Sequence, residues 1–85
     1  MADIQVGVVK NFFAKPSVAA IEVTEGDFQI GDVLWFSGHT TDFKQEVDSI
    51  QEEKQTISKA VKGQLVGVKV KERVRENDLV YKVAE

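Results

Sequence analysis

The sequence predicts an all-β fold, a small closed barrel of six strands formed by one domain that spans residues 1–85. Apolar, often β-branched residues recur with a period near two, which is the pattern of strands with one buried face. Turn signals return about every ten residues, as is typical of barrels and sandwiches. A barrel is favoured because so few strands would leave a sandwich with many open edges, whereas closure removes edges.

The strand pattern occurs in six segments along the chain. They are predicted at residues 4–9, 18–23, 33–37, 44–51, 65–70 and 79–84. In the second segment, Ala19, Ile21 and Val23 are expected to face the core while Glu22 faces water. Residues 11–16 are expected to end the first strand, because Pro16 fixes its own φ and offers no amide donor to a ladder.

The connections between strands are marked by glycines and polar residues. Gly31 and Asp32 open the third strand, and a positive φ is expected at Gly31. Residues 38–42 are predicted to form a polar hairpin loop. Residues 51–62 are predicted as an extended loop, with room for one helical turn, that ends at Gly63.

Composition narrows the possible functions. The chain has no cysteine, which excludes disulfides, thiolate metal sites and a cysteine nucleophile and fits a cytoplasmic protein. Its start lacks the basic and then apolar pattern of a signal peptide, and no apolar run is long enough to span a membrane. The net charge of −3 disfavours tight, sequence-blind RNA binding by the chain alone.

Catalytic groupings are not visible in the sequence. The single histidine, His39, has Asp42 three residues away in the same loop, whereas a triad needs a nucleophile from a second element and an oxyanion hole. No phosphate-cradling glycine loop is present. The sequence therefore predicts a protein that is not an enzyme and that needs no metal or cofactor.

Trp35 and the hairpin loop after it are the first candidate binding residues. If Leu34 and Phe36 point inward, Trp35 lies on the outer wall, where tryptophan is enriched in binding hot spots. The opposite register, with Trp35 in the core, is the alternative. His39 is a candidate recognition residue oriented by Asp42. The loop residues taken as candidates are His39, Thr40, Thr41 and Asp42. The alternative is a turn whose Thr and Asp side chains bond nearby backbone amides.

Four cations after residue 68 form a second candidate surface. They are Lys69, Lys71, Arg73 and Arg75. Their alternation with carboxylates would place the cations on one strand face toward RNA. The alternative is an ordinary solvated edge, which the acidic total charge favours.

An ordered set of short motifs covers nearly the whole chain. The letters are GVV at residues 7–9, VTEG at 23–26, IGDV at 30–33, VDSIQ at 47–51, AVKGQLVGV at 60–68 and DLVY at 78–81. Together they resemble the β-barrel second domain of translational GTPases such as elongation factor Tu. The runs AKPSVAA at 14–20 and GHTTDF at 38–43 are more similar to translation elongation factor-like proteins and to the C-terminal barrel of collagenase-like peptidases.

The resemblance implies a six-stranded closed Greek-key barrel of the translation-protein type. In the GTPases this domain stacks on a nucleotide domain and helps to hold the aminoacyl end of tRNA; that nucleotide domain is missing from this sequence, so GTP is not expected as a ligand. The main functional prediction is a translation-related module that binds a protein partner, or tRNA or the ribosome, without a membrane. The alternative is an accessory module of a peptidase-like or RNA-modifying enzyme.

Overall fold

The computed structural model describes residues 3–83, which form ten β-strands. The strands are β1 (Ile4–Phe13), β2 (Val18–Val23), β3 (Asp27–Gln29), β4 (Val33–Ser37), β5 (Asp42–Glu46), β6 (Ile50–Glu52), β7 (Gln55–Ile57), β8 (Lys59–Val61), β9 (Leu65–Lys69) and β10 (Leu79–Lys82). The all-β prediction is confirmed. No helix in this part of the chain has the length and hydropathy needed to cross a membrane.

The strands form two antiparallel sheets. The larger sheet has eight strands in the order β5-β4-β10-β1-β2-β9-β6-β7, and β3 pairs with β8 in a second sheet of two strands. The ladder hydrogen bonds leave β5 and β7 at the two ends of the larger sheet, so they do not close the predicted barrel.

Both sheets share one hydrophobic core. Ala19, Ile21 and Val23 are buried and Glu22 is exposed, as the alternation along β2 predicts. The largest side chains with almost no exposed surface are Phe28, Phe36, Ile21, Leu34 and Ile50. Phe28 comes from β3, so the smaller sheet covers the same core as the larger one.

Ten strands replace the six predicted because the predicted strand at residues 44–51 contributes to two strands, and because β3, β7 and β8 form where the sequence predicts no strand. β1 runs to Phe13 instead of ending near residue 9, because Asn11, Phe12 and Phe13 still have partners on β2. The predicted strand at residues 44–51 is divided at Val47. The backbone of Val47 forms hydrogen bonds with Gly31 and Asp32, which directly precede β4. The chain then turns away to pair with β9.

The segment at residues 51–62 is strand rather than extended loop. β6 and β7 form a hairpin in which Glu52 pairs with Gln55. Its two turn residues, Glu53 and Lys54, have φ values of 50° and 69°. Both therefore adopt the left-handed conformation that two-residue hairpins require and that Asn or Gly normally supplies. Because Glu53 and Lys54 are not the typical turn residues, the sequence pattern does not indicate this hairpin.

Gln45 links two strands that no ladder joins. Its side-chain Nε2 donates to the carbonyl of Lys69 over 2.8 Å, and its Oε1 accepts from the amide of Lys71 over 2.8 Å. One side-chain amide thus supplies the donor and the acceptor that a neighbouring backbone would supply. The first strand in the order of the larger sheet, β5, is held by this amide against the end of β9.

Replacing Gln45 with leucine should lower the free energy of unfolding by about 1–2 kcal/mol, because two hydrogen bonds to backbone are lost where water can partly replace them. Chemical denaturation measures this change. Gln55→Leu is the matched control, since Gln55 lies exposed on β7. Equal stability of the two variants would show that the amide link contributes nothing.

Gly31→Val should lower the free energy of unfolding by about 1–3 kcal/mol. The φ of Gly31 is +99°, as expected from the sequence, and an added Cβ would meet no atom within 4 Å. The cost is therefore backbone strain alone. Gly31→Asn should cost less, since Asn tolerates positive φ better than a β-branched residue. An equal cost for Val and Asn would contradict this explanation.

Candidate functional site

The alternation of β4 separates core from surface. Leu34 and Phe36 are fully buried, and Phe36 stacks on Phe43 with ring centroids 5.0 Å apart. Trp35 lies between them on the opposite side of the strand and is half-buried. The predicted register, with Trp35 on the outer wall, is confirmed.

Three side chains lie next to the Trp35 ring. Tyr81 on β10 lies beside it, with centroids 5.1 Å apart and ring planes inclined by 32°. The indole Nε1 donates to Oδ1 of Asp42 over 2.8 Å. The Nζ of Lys44 lies 5.8 Å from the ring centroid. The indole N–H is therefore not free to bind a partner, because it already donates a hydrogen bond to Asp42.

We call this surface the Trp35 face and define it by Trp35, Tyr81, Asp42, Lys44 and Glu46. The last three are the outward residues of β5, where Phe43 points inward. All three are exposed, so the rim of the aromatic pair carries two carboxylates and one ammonium group. An apolar, oriented aromatic pair beside charged groups can bind a ligand with both an apolar and an ionic part.

The aromatic pair continues into an apolar stripe. On β10, Leu79 pairs with Ser37 of β4, and on its other side it pairs with Val8 of β1. Leu79 and Val8 are both half-buried on the wall. The apolar surface that includes Trp35 therefore extends over three neighbouring strands, β4, β10 and β1.

The hairpin loop is divided between surface and interior. His39 and Thr40 are exposed, whereas Thr41 keeps only 4% of its surface accessible. The prediction of Thr41 as a contact residue is therefore corrected. Its backbone carbonyl accepts a hydrogen bond from the amide of Gly38, and its side chain is buried. The structure brings Thr40 together with Arg75, whose Nε donates to Thr40 Oγ1 over 2.9 Å.

Asp78, which the sequence did not single out, fixes the loop after β9 against this hairpin. It is buried, and its Oδ2 accepts a hydrogen bond from the backbone amide of Arg75 over 2.8 Å. Its other carboxylate oxygen lies against Gly38, where any Cβ would overlap it. A glycine at a hairpin start is a common turn signal, so the close approach of a carboxylate could not be distinguished in the sequence.

The four cations do not share one strand face. Only Lys69 lies in β9, and Lys71, Arg73 and Arg75 follow in an irregular segment. All four are exposed, but Arg73 lies 6.0 Å from the ring of Phe12 while Arg75 bonds to Thr40. Strand alternation therefore does not align them, which removes the geometric basis of the predicted cationic face.

A second cluster lies beside the smaller sheet. Lys82 reaches Asp27 at 3.4 Å and Asp32 at 3.6 Å, and Lys59 reaches Asp27 at 3.6 Å. A groove of about 170 Å³ opens beside it, and Ile4 is among its lining residues. The ion pairs are at least partly exposed and tie β10 to β3. Within residues 3–83, no group of three or more His, Cys, Asp or Glu side chains is arranged to hold a metal ion.

Sequence comparison finds relatives named as peptidases. A collagenase of Porphyromonas gingivalis is 40% identical over 80 residues, which cover 93% of this chain and 19% of that protein. A protease of Methanocaldococcus jannaschii is 43% identical over 83 residues, which cover 96% of this chain and 20% of the relative. The chain thus spans about a fifth of the length of the curated relatives it matches. No family model matches the sequence.

Solved structures share the fold. The C-terminal domain of a Geobacillus thermoleovorans protein assigned to the U32 peptidases superposes with a TM-score of 0.86 at 22% identity, covering 96% of this chain and 93% of that one. The GDP-bound translation factor aIF5B of Aeropyrum pernix gives a TM-score of 0.64 at 17% identity, covering 94% of this chain and 14% of that one. At these identities the structures indicate the fold alone.

These similarities contradict one prediction, confirm a second and leave a third without support from the sequence relatives. The prediction of a protein that is not an enzyme is contradicted by the sequence relatives, which are named collagenase and protease and of which this chain spans about a fifth. The resemblance to collagenase-like peptidases is confirmed. The translation and RNA-binding predictions gain no support from the sequence relatives, which are peptidase-like.

Truncation of the two neighbouring aromatic residues of β4 should have unequal effects. Phe36→Ala should cost about 3–5 kcal/mol of stability, because it deletes a fully buried ring. Trp35→Ala should cost about 1–2 kcal/mol, from the lost ring pair and one exposed hydrogen bond. Thermal and denaturant unfolding measure both changes. A larger cost for Trp35 than for Phe36 would contradict the assigned faces.

Proposed function

We propose that this chain is an accessory domain of a U32-peptidase-like enzyme and contacts a polypeptide through the Trp35 face. The observation that carries the proposal is the 40–43% identity to proteins named collagenase and protease along 91–96% of this chain. Because the matched part is about a fifth of those relatives, the contribution we assign to it is contact, either with the substrate polypeptide or with the rest of the enzyme.

The composition of the Trp35 face supports a protein contact. Trp and Tyr are enriched in interface hot spots, where they add large area at low conformational cost. The Trp35 ring is already oriented by Asp42 and Tyr81. A partner would therefore not have to immobilise it, which lowers the entropic cost of binding. The exposed residues His39 and Thr40, together with Arg75, are assigned to the polar rim.

Of the basic residues after β9, only Arg75 belongs to this proposal, as a rim residue beside Thr40; Lys71 and Arg73 do not. The chain carries a net charge of −3, and Glu72 and Glu76 are interspersed with Arg73 and Arg75. Phosphate neutralisation supplies most of the affinity of nucleic-acid binders. A peptidase-like contact role therefore agrees better with the charge of the chain than RNA binding does.

We also propose that six of the strands enclose the core as a barrel that is closed between β5 and β9. The support is the pair of hydrogen bonds through Gln45, which stand where a backbone ladder would otherwise run. The six strands are β5, β4, β10, β1, β2 and β9, and each overlaps one of the six segments predicted from the sequence. A closed wall would give the Trp35 face a rigid support.

A graft tests the proposed function. This chain would replace the matched segment of the Porphyromonas gingivalis collagenase, and its activity would be compared with that of the intact enzyme and of an enzyme lacking the segment. We expect the deletion to lose most activity and the graft to recover at least a third of it. A graft carrying Trp35→Ser and Tyr81→Ser should lose that recovery, because it lacks the aromatic pair.

The matched control is Leu65→Ser, which removes an apolar side chain that is 57% exposed on β9, away from the aromatic pair. It should keep the activity of the unmodified graft. A folded graft that leaves the enzyme as inactive as the deletion would refute the accessory role, and equal activity of the control and the aromatic variant would refute the role of the Trp35 face.

A further inference from the structure

Lys44 occupies a position that suits the side chain of a ligand. Its ammonium lies 5.8 Å from the centroid of the Trp35 ring, and its partner across the β4–β5 ladder is Trp35 itself. We propose that the Trp35 face binds an arginine or lysine side chain of a polypeptide partner, and that Lys44 occupies this cation position in the free protein. The polypeptide nature of the partner rests on the proposed function.

The two carboxylates of the face flank the cation position. Across the ladder, Asp42 stands opposite Ser37 and Glu46 opposite Val33, one on each side of Lys44 along β5. Each is two residues from Lys44, a distance of about 6.5 Å along a strand, on the same side of the sheet. A cation held over the Trp35 ring therefore has a carboxylate within reach in either direction.

These carboxylates are not engaged by other cations. Within residues 3–83, ion pairs involve Glu22, Asp27 and Asp32, whereas Asp42 and Glu46 take part in none. One oxygen of Asp42 accepts a hydrogen bond from the indole N–H, which leaves the second oxygen for a ligand. The face thus has a net negative charge on its rim, and the whole chain has a net charge of −3. Charge complementarity selects a cationic partner and disfavours a polyanion.

The chemistry of the site favours arginine over lysine. Tryptophan is the aromatic side chain that attracts cations best, and a planar guanidinium can stack on the ring while it donates in parallel to a carboxylate. Lys44 is an exposed point charge without an ion pair in the described part of the chain, so its hold on the ring is weak. A ligand guanidinium can displace it at small cost.

Titration with a short peptide tests the proposal. The probe is an acetylated and amidated pentapeptide with a central arginine between glycines, and its control has glutamine in place of arginine. Trp35 is the only tryptophan, so the single indole N–H resonance of the intact protein reports on the face. We expect this resonance to shift with the arginine peptide, to shift less with a lysine version, and not to shift with the glutamine peptide.

Charge variants separate this proposal from a merely apolar contact. Lys44→Gln should tighten binding of the arginine peptide about twofold to fivefold, because the internal competitor is gone. Asp42→Asn keeps an acceptor for the indole and removes the charge, and it should weaken binding, as should Glu46→Gln. Glu53→Gln, on the β6–β7 turn, is the matched control and should leave the affinity unchanged. Each variant is checked for an unchanged melting temperature.

Three results would overturn the proposal. They are equal binding of the arginine and glutamine peptides, unchanged or weaker binding by Lys44→Gln, and preferential binding of a single-stranded oligonucleotide. The outcome is independent of the collagenase graft. An active graft with no response to the arginine peptide would remove only this inference, whereas a response to the peptide with an inactive graft would remove only the accessory role.

Discussion

The burial of Leu34 and Phe36 on β4 decides how the outer wall is built. Both side chains are fully buried, and Phe36 stacks on Phe43 of the next strand. Since successive residues of a strand point to opposite sides, the packing of these rings leaves Trp35 no other direction than outward. The same alternation on β5 turns Lys44 outward. The core therefore determines which side chains can form the Trp35 face.

The hairpin between β4 and β5 then determines which polar groups meet the ring. Its register sets Ser37 opposite Asp42, so that the carboxylate lies within hydrogen-bonding distance of the indole of Trp35. The buried Thr41 holds the loop through the amide of Gly38. Because Asp78 packs against Gly38 and binds the amide of Arg75, the loop after β9 supports the hairpin from outside. A change at Gly38 would therefore disturb the orientation of the ring without touching it.

The sequence could predict what depends on neighbours along the chain. The strands at residues 18–23 and 33–37, the inward residues of β2, the positive φ of Gly31 and the outward direction of Trp35 all follow from alternation or turn chemistry. Features that depend on pairing could not be predicted. Tyr81 joins Trp35 only because β10, which is distant in the sequence, pairs with β4. Single-sequence patterns do not give the order of strands that no hairpin connects.

The same distinction explains the mistaken prediction about enzymes. A search for nucleophiles, histidine pairs and phosphate loops tests whether reacting groups lie within one chain. It does not test whether the chain is part of a larger catalytic protein, and the relatives are about five times as long as this chain. The informative signal was an apolar ring forced outward by a packed core. Since single apolar side chains are common on protein surfaces, the proposed contact depends on the ring pair of Trp35 and Tyr81 and not on Trp35 alone.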